Sequence, residues 1–310
     1  MKATTPTVEA IIVTHDDPDA VRSCVQALVA QTITPKQIRI IDTAGHRPVP
    51  DDIRHLHQLV TVHRLETNTG PAGGWYEGIR LFRESDCSFA WLLDDDCLPA
   101  EHSLEQLLVD AQGADVIQSL MIDSRTGLEV STQGWCSVLV GRNVVESVGL
   151  PDRDLVWWTE DTEYLQWRIP RAGFKVARSS LATVTITLRP PQATKPGWKY
   201  FYEARNQVSY RLKTQRPVHG AQVPRHLTAR VRSWRALRSV ARLGLRTIAV
   251  EQEKRLSKLL LVGRGAAAGI AGRTGMQIAI GEPDRASLAL PRGGTEPRCE
   301  GSNPGRQSAG

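Results

Sequence analysis

The sequence has few cysteines and no long apolar run, and these shortages exclude several classes of protein. Its five cysteines are odd in number and include no C-x-x-C pair, so the sequence indicates neither a disulfide framework nor a zinc site. No window approaches the roughly 18 apolar residues that a membrane-spanning helix requires, and the first residues lack the apolar core of a signal peptide. We therefore predict a cytoplasmic protein in a reducing compartment.

Charge is divided unevenly along a chain that is otherwise typical of a globular protein. The 310 residues are 41 % hydrophobic and 23 % charged, which suits one sizeable domain with an appendage. Residues 1–210 carry 20 basic and 27 acidic side chains, whereas residues 211–264 carry 14 basic and only 2 acidic ones. The basic isoelectric point therefore originates in one short segment.

The first half of the sequence alternates short apolar runs with segments of helical periodicity. The runs are A-I-I-V-T, I-R-I-I-D and F-A-W-L-L, and helical spacing is clear in D-A-V-R-S-C-V-Q-A-L-V-A-Q and W-Y-E-G-I-R-L-F-R. Apolar strands separated by helices predict an α/β fold with a mostly parallel sheet covered on both faces. In such sheets, ligands bind beyond the carboxyl ends of the strands.

Polar residues follow three of these predicted strands where each ends. The aspartates at 94–96 follow F-A-W-L-L, Asp42 ends I-R-I-I-D, and Thr14 follows A-I-I-V. A loop that caps the next helix would explain the triplet alone, but three such strand ends favour one shared crevice. Adjacent carboxylates raise one another's pKa unless a cation offsets them. We therefore predict Mg²⁺ or Mn²⁺ on a diphosphate, with Asp94 and Asp96 as ligands.

A series of motifs in residues 8–212 resembles the family 2 glycosyltransferases, which are inverting, nucleotide-sugar-dependent enzymes with a GT-A fold. In order they are A-I-I-V-T-H-D-D-P-D, I-I-D-T-A, N-T-G-P-A-G-G-W-Y-E-G-I, W-L-L-D-D-D-C-L-P, W-W-T-E-D-T-E-Y, R-I-P-R-A-G-F-K-V and K-Y-F-Y-E-A-R-N-Q. The set is specific, although each piece alone is weak. V-T-H-x-x-P-D and Y-x-x-R-N are typical of bacterial galactofuranosyl- and rhamnosyltransferases of cell-wall or surface polysaccharide.

The resemblance implies a pocket for the nucleotide sugar. Its residues would be Thr14, His15, Asp42, Asn68, Gly70, Gly73, Gly74, Asp94 and Asp95. Asp42 would accept from the N–H of a uracil or thymine base, and the glycine-rich stretch would bring backbone amides to nucleotide oxygens. Without the resemblance, the same residues indicate only polar strand ends and a structural glycine-rich turn.

The resemblance also implies a catalytic and acceptor-binding segment in W-W-T-E-D-T-E-Y. Asp161 would be the general base that takes the proton of an acceptor hydroxyl, and Glu160 is the rival base. Trp157 and Trp158 would offer apolar faces to a sugar ring, although buried core tryptophans are common. Glu163 is either structural or acceptor-binding. Acidic residues at a helix start also complement the helix dipole, which is the alternative interpretation.

The sequence departs from the family where many members carry a histidine that completes the metal site. The strand after R-A-G-F-K-V reads L-A-T-V-T-I-T-L-R, with Thr185 and Thr187. The metal would then have fewer protein ligands, or cationic side chains such as Arg189 or Lys195 would partly replace it. This departure supports the alternative of a catalytically degenerate nucleotide- or glycan-binding homologue. A nucleotidyltransferase is a third option, but W-W-T-E-D-T-E-Y has no role in one.

The basic segment predicts an amphipathic helix with two distinct stripes. The apolar stripe comprises Leu227, Val231, Trp234, Leu237, Ala241, Leu245 and Ile248. The basic stripe comprises Arg232, Arg235, Arg238, Arg242 and Arg246. Such a helix suits an anionic membrane surface, and the alternative is a helix packed on the catalytic domain with solvated arginines. Nucleic acid is not predicted, because no binding motif accompanies the arginines.

These features predict three regions and one activity. We expect a GT-A catalytic domain at 1–212, a basic helical extension at 213–280, and a disordered tail at 281–310. The expected enzyme moves galactofuranose or rhamnose from a UDP or dTDP donor to a hydroxyl of a lipid-linked or polysaccharide acceptor. It would be peripheral at the inner face of the cell membrane.

Overall fold

The computed structural model describes residues 6–130, 134–187, 195–213 and 229–280. One sheet contains eight strands of this described part, in the order β3-β2-β1-β4-β7-β6-β8-β5. The strands are β1 (Val8–Thr14), β2 (Gln37–Asp42), β3 (Val60–Arg64), β4 (Phe89–Asp94), β5 (Leu98–Pro99), β6 (Val116–Asp123), β7 (Val138–Gly141) and β8 (Val176–Ile186).

The described helices connect the strands and then follow the sheet. They are α1 (Pro18–Val29), α2 (Asp51–Arg54), α3 (Gly70–Glu84), α4 (Ser103–Asp110), α5 (Arg142–Val148), α6 (Ile169–Arg171), α7 (Gly197–Lys213), α8 (Ala229–Val250) and α9 (Arg255–Ile270). A 3₁₀ turn at Arg153–Leu155 and a π-helix at Thr162–Arg168 lie between α5 and α6.

The sheet is mixed and mostly parallel, as the sequence predicts. Strand β1 pairs in parallel with β2 and β4, β2 with β3, and β6 with β8. Strand β7 is antiparallel to both β4 and β6, and β5 is antiparallel to β8. All seven residues of β1 are buried, because helices cover both faces of the sheet at its centre.

Alternate residues of β1 reach two separate cores. Ala10 and Ile12 join the core that contains the apolar face of α1. Ile11 and Val13 join the core on the opposite face, which contains Trp75 and the rest of the apolar face of α3. Successive side chains of a strand point to opposite faces, so the predicted covering of both faces is confirmed.

The last three helices pack together, with α9 held very close to α7. A methyl group at Gly265 would lie 2.2 Å from the carbonyl oxygen of Phe201, and one at Gly269 would lie 2.5 Å from that of Arg205. Helix α7 falls within the predicted catalytic region but contacts both helices of the predicted extension. None of the described helices is long and apolar enough to cross a membrane. The predicted tail at 281–310 and Leu227 lie outside the described residues.

The close crossing of α7 and α9 predicts opposite effects for two glycines of the same helix. Gly265→Ala would press a methyl against the Phe201 carbonyl and is expected to lower the free energy of unfolding by about 2 kcal/mol or more. Gly263 has no atom within 4 Å of its hypothetical methyl group, so Gly263→Ala is expected to be neutral or to stabilise by up to about 1 kcal/mol. Thermal unfolding of both variants tests this, and equal effects would contradict the crossing.

Candidate active site

Strand register brings the predicted polar strand ends together. Thr14 is paired with Asp42 across β1 and β2, and Val13 is paired with Asp94 across β1 and β4. The hydroxyl of Thr14 donates to Asp95 Oδ2 over 2.6 Å. The three strand ends therefore form a single edge, as expected for neighbouring parallel strands.

His15 links two segments that the sequence assigned to the nucleotide pocket. The Thr43 hydroxyl donates to the Thr14 carbonyl over 2.9 Å, and its oxygen lies 3.1 Å from His15 Nδ1. Since the single hydroxyl hydrogen is used, Nδ1 is the donor in this contact. Nε2 can then accept from the Asn68 side-chain amide 3.4 Å away. Thr43 is not among the predicted residues, although its position directly after Asp42, at the end of β2, could have indicated that it lies at the same site.

Asp42 is nearly fully buried and forms an ion pair that sequence analysis did not identify. Its Oδ2 accepts from Arg64 Nη1 over 2.5 Å and from the Val49 amide over 3.2 Å. Arg64 is the strand partner of Asp42 across β2 and β3, and its Nη2 donates to the Gly45 carbonyl. The ion pair orients this carboxylate at the sheet edge, and its role toward a nucleobase stays a prediction.

The glycine-rich stretch forms the start of α3 and makes close backbone contacts. Gly70 has φ of +72°, and a methyl group there would lie 2.1 Å from the Val156 carbonyl oxygen. Asn68 Oδ1 accepts from the Gly70 amide over 2.9 Å. A methyl at Gly74 would lie 2.6 Å from Val13, and one at Gly73 would meet Thr69. Gly74 therefore packs α3 against β1, and Gly70 lets the start of α3 approach the loop at Val156. The expected amide contacts with a nucleotide stay a prediction.

Carboxylates from two parts of the chain raise one another's pKa at this edge. Burial raises the pKa of Asp94 to about 7, with Asp96 adding to the effect and a 3.2 Å hydrogen bond from the Cys136 thiol opposing it. Burial also raises the pKa of Asp95 to about 6, which the Thr14 hydroxyl partly offsets. Asp161 contributes to the shift at Asp94, so the structure brings the triplet and the predicted base together.

Glu160 and Asp161 lie in the same environment and differ in their partners. Burial raises the pKa of Asp161, while the amide and hydroxyl of Thr162 lower it by donating to Oδ1. Burial raises the pKa of Glu160 well above its ordinary range, with Asp161 and then Asp94 adding to it. Glu160 Oε2 is buried without a hydrogen-bond partner among the described residues.

The donor set fits a hard divalent cation held by few protein ligands. Within the described ranges, the salt bridges do not involve Asp94, Asp95 or Asp161, and a bound cation would offset their repulsion. No group of three His, Cys, Asp or Glu side chains in this described part is arranged to hold a metal. Thr185, on the strand where the resemblance led us to look for a histidine, pairs with Leu98 next to the triplet. Asp94 and Asp96 remain the predicted ligands.

The predicted acceptor-binding residues lie in two different environments. Trp158 is partly exposed, whereas Glu163 forms an ion pair with Arg168. Trp158 is 44 % exposed and stacks on Trp157 at 5.2 Å between ring centroids. Lys195 Nζ lies 5.4 Å from the Trp158 ring centre, and Arg189 is outside the described residues. Arg168 Nε and Nη2 donate to the two carboxylate oxygens of Glu163, at 3.0 Å and 2.5 Å. This ion pair supplies the structural role that the sequence left open for Glu163.

The fold and these motifs can be compared with those of known proteins. Residues 9–131 match the model of the family described as Glycosyl transferase family 2. This first part of the chain is therefore similar to the family 2 glycosyltransferases. A stretch of 94 residues is 31 % identical to galactofuranosyltransferase GlfT1 from two strains of Mycobacterium tuberculosis, covering 30 % of this chain and 31 % of the relative. The chain therefore spans about a third of the length of the curated relatives it matches.

Solved glycosyltransferase structures share the fold of this chain. TarS from S. aureus, in complex with UDP, has a TM-score of 0.57 at 13 % identity, covering 86 % of this chain and 88 % of that one. The mannosyltransferase PcManGT from Pyrobaculum calidifontis, in complex with GDP-Man and Mn²⁺, has a TM-score of 0.55 at 13 % identity, covering 87 % and 88 %. These similarities establish a GT-A fold, as the sequence predicts.

The loop that leads to Glu160 and Asp161 is conformationally strained. Val156, Trp158 and Thr159 have φ of +62°, +71° and +81°. Each such non-glycine residue costs on the order of 1–2 kcal/mol. Surrounding contacts must therefore hold the loop in place.

Two adjacent residues of α7 hold this loop. The Asn206 side-chain amide donates to the carbonyls of Leu155, Trp157 and Trp158, at 2.7, 2.8 and 2.7 Å. Arg205 Nη2 donates to the carbonyls of Asp154 and Leu155, at 2.9 and 3.0 Å. Both side chains are buried. The sequence indicated this R-N pair only as part of the family resemblance, with no role.

The carboxylate cluster predicts a pH-dependent gain in stability for Asp94→Asn. Because the pKa of Asp94 is raised from 3.8 to about 7, the folded chain binds more protons than the unfolded chain between these values, and stability falls as pH rises. With EDTA present, the variant is expected to gain on the order of 1–4 kcal/mol at about pH 8 and little at about pH 4. Urea unfolding measures both.

The control for this prediction is Asp17→Asn. Asp17 is exposed and caps α1 by accepting from the Ala20 amide, and asparagine caps a helix equally well. This variant is expected to change stability little at about pH 4 and far less than Asp94→Asn at about pH 8, because Asp17 is a minor contributor to the raised pKa of Asp95. A gain for Asp94→Asn that is the same at both pH values would contradict the proposed electrostatic origin.

Loss of the Asn206 side chain is expected to loosen the strained loop. Asn206→Ala removes the donor to three carbonyls, so amides 155–162 should exchange at least about tenfold faster in native-state hydrogen exchange. Ser209→Ala is the control on the same helix, because the buried Ser209 hydroxyl has no hydrogen-bond partner among the described residues. Equal exchange in both variants would show that the loop is held by other contacts.

Proposed function

We propose that this chain transfers a sugar, with inversion, from a nucleotide-diphosphate donor to a hydroxyl of a lipid-linked or polysaccharide acceptor. The observation that carries the proposal is the convergence of Asp94, Asp95, Glu160 and Asp161 at one sheet edge, each with a raised pKa. This cluster lies in a GT-A fold whose first part matches the model of the family 2 glycosyltransferases. Carboxylates in such a position suit both donor binding and proton removal.

The donor side of the proposal rests on the triplet and on the relatives. Asp94 and Asp96 would hold Mg²⁺ or Mn²⁺, which supplies charge compensation to the departing diphosphate when bound. The Mn²⁺ and GDP-Man of PcManGT and the UDP of TarS support this class of donor. The match to galactofuranosyltransferase GlfT1 favours galactofuranose over rhamnose, with UDP or dTDP as the nucleotide.

The acceptor side assigns the general base to Asp161. Thr162 holds its Oδ1 through two hydrogen bonds, which orients the carboxylate and directs proton uptake to Oδ2. As the acceptor oxygen bonds to the anomeric carbon, its proton passes to Asp161, and the diphosphate departs from the opposite face with the bonding electron pair. A raised pKa brings the base closer to the operating pH and makes proton uptake more favourable. Trp158, partly exposed beside this residue, would contact the acceptor sugar.

One observation favours a different general base, and another favours a protein without catalytic activity. Glu160, with a buried oxygen that has no partner in the described ranges, is the rival base. A catalytically degenerate nucleotide- or glycan-binding homologue is favoured by the lack of a histidine on the strand that contains Thr185 and Thr187. Each alternative changes a measurable outcome.

Donor turnover tests the function and the base together. The protein is incubated with UDP-, dTDP- and GDP-sugars, Mn²⁺ or Mg²⁺, and a bacterial membrane extract as acceptor, and nucleotide release is measured. Asp161→Asn is expected to reduce turnover by about a thousandfold with nucleotide binding retained, because removal of the base affects only the chemical step.

Matched variants separate the alternatives. Glu163→Gln, which weakens the ion pair with Arg168, is expected to lower thermal stability and to change turnover less than about tenfold. If Asp161→Asn is active and Glu160→Gln is not, the base is Glu160. If nucleotides bind but no donor turns over, the degenerate homologue replaces the proposed enzyme.

A further inference from the structure

Helix α8 packs on its neighbours through one face and leaves most of its large apolar residues in solvent. Ala236, Leu243 and Thr247 are buried, and Leu243 joins Tyr200 of α7 and Val262 of α9 in a small core. The residues of the predicted apolar stripe lie on a different face and are 50–66 % exposed. They are Trp234, Leu237, Leu245 and Ile248.

Helix α9 carries a second exposed apolar stripe that the sequence did not predict. Leu256, Leu260 and Ile270 are 60–78 % exposed. With the exposed Gly263 and Ala267, they recur at intervals of four and three residues, which is one face of a helix. The opposite face, including Leu261 and Gly265, is buried against α7 and α8.

The two stripes adjoin across the contact between α8 and α9. A methyl at Gly244 of α8 would lie 3.9 Å from Leu259 of α9, so these two positions face each other. On α8, Leu237 and Leu245 lie next to Gly244 on the solvent-facing side. On α9, Leu256 and Leu260 lie next to Leu259 on the solvent-facing side. We call the seven exposed large apolar residues of both stripes the α8–α9 surface.

Positive charge borders this surface, and acidic side chains are scarce. Helix α8 contains six arginines and no Asp or Glu. Four of these arginines are exposed beside its apolar stripe, namely Arg235, Arg238, Arg242 and Arg246. Of the two acids that follow, Glu251 is buried and accepts hydrogen bonds from Lys258 and Tyr200.

We propose that the α8–α9 surface binds an anionic lipid bilayer, with both helices lying in the plane of the interface. Exposed Trp, Leu and Ile insert among the acyl chains, while the bordering arginines reach lipid phosphates. A second copy of the chain would set arginines against arginines across a two-fold axis, and nucleic acid would leave the apolar residues in water. This proposal is independent of sugar transfer.

Vesicle flotation tests the proposal with the full chain and two lipid mixtures. Vesicles contain either phosphatidylcholine alone or phosphatidylcholine with about one third phosphatidylglycerol, a fraction high enough to give a negative surface potential. We expect binding to the anionic vesicles to be at least about tenfold stronger, and to weaken as NaCl rises from about 0.1 to 0.5 M. Equal binding to both mixtures, or none to either, would overturn the proposal.

Paired variants assign the binding to this surface. Leu237→Glu with Leu245→Glu is expected to reduce partitioning about tenfold or more, because it removes apolar area and places acid beside the bilayer. The control is Leu181→Glu with Leu128→Glu, two similarly exposed leucines outside these helices, which should bind vesicles as the unmodified chain does. Equal loss in both pairs would overturn the proposal.

Two further measurements identify the competing occupants. If light scattering shows a dimer that Leu237→Glu with Leu245→Glu dissociates, and vesicles do not bind, the surface is a contact between copies. If a duplex DNA fragment binds at the same salt concentration and anionic vesicles do not, the arginines serve nucleic acid. Either result replaces the membrane proposal.

Discussion

The in-register parallel pairing of β1 with β2 and β4 is the constraint on which the rest of the site depends. It sets Thr14 beside Asp42 and Val13 beside Asp94. The three strands therefore end at the same edge of the sheet, and each ends in a polar residue there. Burial of both sheet faces fixes this register, because a shift of one residue would exchange the two cores. The carboxylates are thus forced together by the same apolar packing that stabilises the sheet.

Bringing these carboxylates together costs free energy, because their negative charges repel one another. Asp96 and Asp161 both raise the pKa of Asp94, and the loop that delivers Asp161 contains three non-glycine residues with positive φ. Strained backbone and shifted pKa values of this kind are common at functional sites. Here Arg205 and Asn206 hold the loop, so its geometry is set before any ligand arrives.

Arg205 also connects the site to the C-terminal helices. Its Nη1 donates to the Gly275 carbonyl, while its Nη2 donates to the carbonyls of Asp154 and Leu155. The Gly275 amide in turn donates to the Asp154 carbonyl. The end of the segment that carries the α8–α9 surface is therefore hydrogen-bonded to the start of the strained loop.

Sequence patterns predicted the elements well but not the contacts between them. Continuous apolar runs identified β1, β2 and β4 and the polar residues at their ends, since local hydrophobicity determines which residues a parallel strand buries. The pairing of Asp42 with Arg64 depends on the register of two strands 22 residues apart, which no local pattern contains. Periodicity revealed the apolar stripe of α8, but it could not show that Ala236 and Thr247 form the packed face instead. Positive φ at Val156 and Trp158 has no sequence signal.

Calorimetric titration of the protein with UDP-galactofuranose most directly tests the central claim, that a repulsive carboxylate cluster receives a cation and a diphosphate. The titration is run at about pH 6.5, between the raised pKa values of Asp95 and Asp94, with Mn²⁺ or with EDTA, in two buffers of different ionisation enthalpy. The account predicts binding that requires Mn²⁺ and releases protons, because metal ligands must be deprotonated. Equal binding in EDTA, without proton release, would contradict it.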